Sequence, residues 1–150
     1  MLLDSTLLFD NAVAITVTRD STNVLDMGAA RDMGIGQDTL SLLLVTDGLF
    51  AAAGAGTLTV AFAGSSDNAT YVNYSQSIAF SIAQLNASNL LLPIYLPPRP
   101  STSSVNVPRY YKLIYTVATG PFTAGVVTAG LVLNLQQALA YPSGYTTTYV

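Results

Sequence analysis

The chain contains no cysteine, no histidine and no tryptophan, and all eight of its acidic residues are aspartate. Without cysteine it has no disulfides and no thiolate ligands, and without histidine it lacks the usual imidazole metal ligand and general base. Acid-base chemistry would need a pair of aspartates, because glutamate is missing too. We therefore expect no metal site, no cofactor and no enzymatic activity. The missing cysteines do not by themselves define a cellular compartment.

Charged residues are also scarce, at 9% of the 150 residues against roughly 25% in an ordinary soluble domain. The net charge is −3 and the pI is about 4.3, with no basic cluster, so nucleic acid is a poor partner. Polar surface must come from uncharged side chains, and like charges do little to keep copies of the protein apart from each other or from a partner. Such a composition suits a protein that sits in an assembly.

Long apolar runs are missing as well. The most apolar window, residues 49–63, is interrupted by glycine and threonine and is shorter than the roughly 20 apolar residues of a membrane-spanning helix. The first residues lack a basic leader and carry Asp4 where the apolar part of a secretory signal would run. We expect no membrane association, and synthesis in the cytoplasm without export.

The most regular stretch runs from Arg109 to Leu135, where two alternating runs flank a turn. Side chains of a strand alternate between its two faces, so the odd-numbered residues are predicted to face the core. These residues are Tyr111, Leu113, Tyr115 and Val117 in the first run and Val127, Ala129, Leu131, Leu133 and Leu135 in the second. Two glycines and a proline in residues 119–125 supply the turn. We predict a long β-hairpin at the centre of the core.

Short strand signals separated by turns fill the rest of the chain, without a helical period. We predict strands at residues 13–18, 23–27, 40–46, 57–63, the second half of 71–82, and 90–96, the last at a sheet edge or bulge because of Pro93, with a turn at Asp47-Gly48. The pattern predicts an all-β fold, an antiparallel β-sandwich, with an eight-stranded jelly roll favoured over an immunoglobulin-like sandwich. One domain spans residues 1–150, with an N-terminal arm at 1–12 and an extended C-terminal tail at about 137–150.

Several local motifs have both a structural and a functional interpretation. Asp47 and Asp67 are predicted as turn and cap residues, with a catalytic pair as the alternative. Gly34-Ile-Gly36 favours a loop that contacts a partner over a phosphate site, because no lysine and no predicted helix follow. Pro97 to Pro100 resembles a polyproline ligand but is predicted as a stiff crossover. Three Asn-x-Ser/Thr triplets are predicted as chance products of a polar surface.

Tyr110, Lys112 and Ile114 occupy the face of the first run opposite to the core. Apolar groups on such a face are candidates for burial against a second chain. Packing under a loop of the same chain is the alternative, and both stay open at this point.

A family resemblance rests on four stretches that span nearly the whole chain, residues 1–4, 21–36, 67–71 and 109–125. Together they resemble the capsid cement, or decoration, proteins of tailed double-stranded DNA bacteriophages, of the type found in a Bordetella phage. None of the stretches is a catalytic signature. The resemblance implies a jelly-roll subunit that oligomerises, as a dimer in preference to a trimer. It also implies that this subunit clamps neighbouring major capsid subunits from outside the shell.

The resulting hypothesis is a structural virion protein on the capsid exterior, with the phage major capsid protein and further copies of itself as partners. A β-sandwich module that recognises a carbohydrate or a host surface is the alternative, although the lack of tryptophan argues against a sugar platform. The predicted interface residues are Leu2, Leu3, Arg31, Met33, Arg99, Tyr110, Lys112, Ile114, Tyr145 and Tyr149.

Overall fold

The computed structural model describes residues 5–30, 40–87, 94–95 and 108–133, and within these ranges the chain is almost entirely β. A short 3-10 helix, Ser5–Leu7, comes before the first strand. The strands are β1 (Leu8–Ala14), β2 (Arg19–Asp20), β3 (Leu25–Asp26), β4 (Leu40–Ala52), β5 (Thr57–Ser65), β6 (Val72–Gln76), β7 (Phe80–Ser81), β8 (Ile94–Tyr95), β9 (Tyr110–Ala118) and β10 (Phe122–Leu133). A four-residue helix, α1 (Ile82–Leu85), follows β7. Among the described residues, no helix is long and apolar enough to cross a membrane.

The strands form two antiparallel sheets. The four-stranded sheet has the order β1-β10-β4-β8, and the six-stranded sheet has the main order β2-β9-β5-β6, with β3 beside β9 and β7 beside β5. β2 and β3 pair with successive parts of β9, and β6 and β7 with successive parts of β5. Each of these pairs therefore acts as one interrupted strand, which leaves eight strands in an order compatible with a jelly roll. The connections on both sides of β8 lie outside the described residues, so the jelly roll itself stays a prediction.

One hydrophobic core lies between the two sheets. The four-stranded sheet contributes Phe9, Leu42, Leu44, Phe50, Val127, Ala129 and Leu131, and the six-stranded sheet contributes Leu58, Val60, Phe62, Tyr111, Leu113 and Tyr115. The ring of Phe9 meets the ring of Phe62 edge-on across the sandwich, with 6.1 Å between centroids. The predicted all-β sandwich and the inward face of β9 are thus confirmed.

The predicted hairpin over residues 109–135 is wrong. β9 and β10 are strands with a turn between them, but they lie in different sheets and do not pair with each other: β9 pairs with β5 and β10 pairs with β4. Thr119 and Gly120, both with positive φ, carry the chain across the sandwich. An alternating pattern requires only that one face of each strand meets the core, and two opposing sheets satisfy this as well as a hairpin does.

Three local predictions also need correction. Asp47-Gly48 lies inside β4, because one extra residue there forms a bulge opposite β10, so the aspartate-glycine pair marks a bulge and not a turn. In residues 71–82 the strand occupies the first half as β6, and Ile78 is 67% exposed beyond its end. The first strand begins at Leu8 and ends at Ala14, earlier than the predicted residues 13–18. Strand signals at 25–26, 40–46, 57–63 and 94–95 coincide with β3, β4, β5 and the edge strand β8.

Candidate interface on the outer face of the six-stranded sheet

Tyr110, Lys112 and Ile114 lie together on the side of β9 that points away from the core, and each is half-buried. We call this side of the six-stranded sheet the outer face. Opposite them on β5 are Ser65, Ala63 and Ala61, so the longer side chains of β9 stand beside a floor of small residues. The alternation predicted for these three residues is confirmed, and the structure brings them onto one surface.

Lys112 is held at this surface by two contacts. Its Nζ lies 2.6 Å from Oδ2 of Asp20, and it also lies 3.9 Å from the centroid of the Tyr71 ring. Tyr71 comes from the loop just before β6, so packing under a loop of the same chain describes Lys112, whose side chain is only 15% exposed. Burial, and then the charge of Asp20, raises the pKa of Tyr71.

A second ion pair lies at the start of β9. Arg109 donates from Nε to Oδ1 of Asp26 at 2.6 Å and from an Nη to Oδ2 at 2.7 Å, the two-pronged geometry that suits a carboxylate. The guanidinium also stacks over the ring of Tyr110, 4.9 Å from its centroid. The hydrogen bond from Arg109, followed by one from the backbone N–H of Gly28, lowers the pKa of Asp26 to about 2.

The position of Asp20 depends on a buried carboxylate beneath it, that of Asp10 on β1. Oδ1 of Asp10 accepts from the backbone N–H of Thr22 at 2.9 Å and from its hydroxyl at 2.7 Å, and Oδ2 accepts from the Tyr115 hydroxyl at 2.7 Å. Arg19 lies 3.5 Å from Oδ1. Burial, and then the charge of Asp10, raises the pKa of Tyr115. These contacts tie β2 to β1 and β9, and so place Asp20 beside Lys112.

Ion pairing leaves this part of the molecule electrostatically balanced. The three basic residues within the described ranges, Arg19, Arg109 and Lys112, each face an aspartate. Tyrosine and arginine are enriched at protein interfaces, and charges that are already paired lose less solvation when a partner covers them. The arrangement therefore suits contact with a protein surface better than capture of a free anion.

Comparison with protein families matches residues 9–131 of the chain to the model of the Bbp16 family. This match covers most of the chain, from β1 almost to the end of β10. The chain belongs to the Bbp16 family. This is a family of Bordetella phage proteins. Among curated proteins, none matches the chain.

The remaining predicted interface positions of this Bbp16-family chain lie outside the described residues, namely Leu2, Leu3, Arg31, Met33, Arg99, Tyr145 and Tyr149. The Gly34 to Gly36 and Pro97 to Pro100 motifs fall outside them as well. Asp67 is described, and it is a turn residue as predicted. Its carboxylate accepts from the backbone N–H groups of Ala69 and Thr70, each at 2.9 Å, and from the Ser65 hydroxyl. The hydrogen bond from Thr70 is the largest cause that lowers the pKa of Asp67 to about 2.

Three members of the outer face were not predicted from the sequence, namely Tyr71, Asp20 and Asp26. Asp20 contacts a residue 92 positions away, and Asp26 one 83 positions away. A single sequence gives no signal for pairs so distant. Tyr71 ends one of the stretches that carry the family resemblance, which is the only hint it offered.

Proposed function

We propose that the protein is a structural, non-enzymatic component of a phage virion that binds the outside of an icosahedral capsid and cements neighbouring major capsid subunits. The observation that carries the proposal is the family match, which extends through nearly the whole sandwich. The low charge and the acidic balance support an exterior position, because an acidic chain has little to gain from contact with packaged DNA.

The outer face is the surface we assign to contact with the capsid. Tyr110 and Ile114 present partly exposed apolar area, and Arg109 and Lys112 add cations that their aspartates already neutralise. Burying roughly 100 Å² of apolar area stabilises a contact by about 2.5 kcal/mol, so a few such side chains suffice for a weak contact. The predicted positions outside the described residues would enlarge this surface.

Cementing then arises from many weak contacts and not from one strong contact. Once a subunit has bound one capsid protein, its next contact forms within the same assembly, at a high effective concentration. Modest individual interfaces can therefore resist expansion of the shell, provided that each subunit or oligomer touches at least two capsid proteins.

The cementing role can be tested with phage particles from which this protein has been stripped. Complete particles should retain their DNA to a higher temperature than stripped ones, and adding back the purified protein should restore the difference. Equal thermal release of DNA from the two kinds of particle would contradict the cementing role.

The surface assignment needs a separate test. Tyr110→Ala should leave the protein folded, because the side chain is outside the core, and should weaken binding to stripped particles by about fivefold or more. Thr123→Ala is the matched control, since Thr123 is exposed on β10 in the other sheet. If Tyr110→Ala binds as tightly as the control, capsid contact is not made through the outer face.

A further inference from the structure

β6 forms an edge of the six-stranded sheet with no protecting feature of its own. Within the described residues it pairs with β5 on one side and with no strand on the other. Its sequence, Val72–Gln76, contains no charge, proline or glycine, and Val72 is 50% exposed. Asn73 and Gln76 are also exposed. Soluble proteins usually protect such an edge with charges, proline or a covering segment, because its unpaired backbone groups attract another strand.

Other edges of the same sandwich are covered. β1 and the β2-β3 edge are joined by the backbone N–H of Asn23, which donates to the carbonyl of Phe9 at 2.9 Å, and by the Asn23 side-chain amide, which donates to the carbonyl of Leu8 at 3.1 Å. On β4, the side-chain amide of Asn86 takes the place of a neighbouring strand at Phe50, accepting from its N–H at 2.8 Å and donating to its carbonyl at 2.9 Å. The bare edge of β6 is thus a departure from how this fold treats its edges.

The charge distribution indicates which strand fits this edge. The sequence has no Asp, Glu, Lys or Arg from residue 68 to residue 98, a stretch that includes all of β6. At a two-fold axis each residue meets a symmetry mate, so any charge near the axis faces a like charge, and an uncharged strand avoids this repulsion. We propose that β6 pairs antiparallel with β6 of a second copy of this chain, and that the outer faces of the two copies then bind the capsid together; the second half of this inference rests on the proposed function.

Antiparallel pairing of two edge strands fixes the relative orientation of the copies. The two-fold axis must be perpendicular to the sheet, since that rotation reverses strand direction while keeping each face on its side. Centring the axis at Tyr74 sets Val72 of one copy opposite Gln76 of the other and makes a continuous sheet. Both outer faces then point the same way, about 24 Å apart from β9 to β9, from five interstrand spacings of about 4.8 Å. One dimer would therefore reach two capsid subunits.

The test uses paired charge variants of the full chain. Val72→Lys with Gln76→Lys places like charges opposite each other in the dimer, and Val72→Asp with Gln76→Asp does the same with the other sign. By sedimentation equilibrium across the micromolar range, the wild type should dimerise, and each double variant should dimerise roughly tenfold or more weakly. An equimolar mixture of the two double variants should recover dimers, because opposite charges then face one another.

The matched control is Asn11→Lys with Thr123→Lys, which adds the same charge at exposed positions of the four-stranded sheet. Circular dichroism checks that every variant is folded. A monomeric wild type throughout the concentration range would overturn the pairing, as would a lysine double variant that dimerises like the control. Failure of the mixture to recover dimers would overturn it too. These results are independent of capsid stability, so loss of the dimer and loss of the cementing role are distinguishable.

Discussion

Removing the hydroxyl of Tyr115 is the sharpest test of how this sandwich is held together. The residue is fully buried, and its hydroxyl donates to Oδ2 of Asp10 at 2.7 Å. The other contacts of that carboxylate, from Thr22 and Arg19, all go to Oδ1. Tyr115→Phe therefore leaves a buried, charged oxygen without the donor that it has in the native protein, with little change in packing.

The expected cost follows from the charge on the acceptor. A hydrogen bond to an ionised group contributes about 1.5–3 kcal/mol, roughly twice the value for a neutral pair. We expect Tyr115→Phe to lower the free energy of unfolding by about 2–3 kcal/mol, a large part of the roughly 5–15 kcal/mol that a domain of this kind has in total.

Urea unfolding followed by far-ultraviolet circular dichroism measures this cost through the shift in midpoint at constant slope. The matched control is Tyr110→Phe, the same chemical change on the same strand but on the outer face. If Tyr115→Phe costs no more than Tyr110→Phe, the buried network does not stabilise the fold as we argue.

Three further predictions concern pH and packing. The raised pKa of Tyr115 adds stability that is present below the ordinary tyrosine pKa of about 10 and is lost as pH rises above it, by about 1.4 kcal/mol per pH unit, so the difference between wild type and Tyr115→Phe should shrink in alkali. The pKa of Asp26, lowered from 3.8 to about 2 by Arg109, adds stability that is present above pH 4 and is lost as pH falls toward 2, so Asp26→Asn should flatten that part of an acid titration of stability. Gly125→Ala should cost about 2–5 kcal/mol in urea unfolding, because φ is +149° there and an added Cβ would overlap the ring of Phe50.

Each of these has a matched control and a contrary outcome. A stability difference between wild type and Tyr115→Phe that stays constant to pH 12 would contradict the alkaline prediction. For the acid prediction, Asp67→Asn should remove a separate part of the same loss, and an unchanged titration in Asp26→Asn would count against the ion pair. Gly120→Ala shares the positive φ but meets open space, so equal costs for the two glycine variants would show that contact with Phe50 is unimportant.

Much of the fold was predictable from local pattern. The alternation at residues 110–117 predicted which side of β9 is buried, and Leu58, Val60 and Phe62 showed the same for β5. Alternation is a property of one strand against one core, and so a single sequence displays it directly. The uncharged composition likewise indicated a protein made for assembly before any contact was known.

The candidate interface was predictable only in part. Tyr110, Lys112 and Ile114 were found because they break the expected contrast between an apolar and a polar face. Asp20 and Asp26 looked like any other turn aspartate, since their partners on β9 are distant in sequence. The buried carboxylate of Asp10 gave no warning at all, because a polar residue at the start of a strand is ordinarily exposed.

The amino-acid sequence by itself determined the all-β character, the inward and outward faces of β9, and the lack of charge from residue 68 to residue 98. Only the tertiary structure decided that β9 and β10 belong to opposite sheets, that three aspartates neutralise the described basic residues, and that β6 ends its sheet uncovered. The physical reason is that side-chain alternation reports only burial, whereas strand pairing and ion pairing depend on which distant segments the closing of the core brings together.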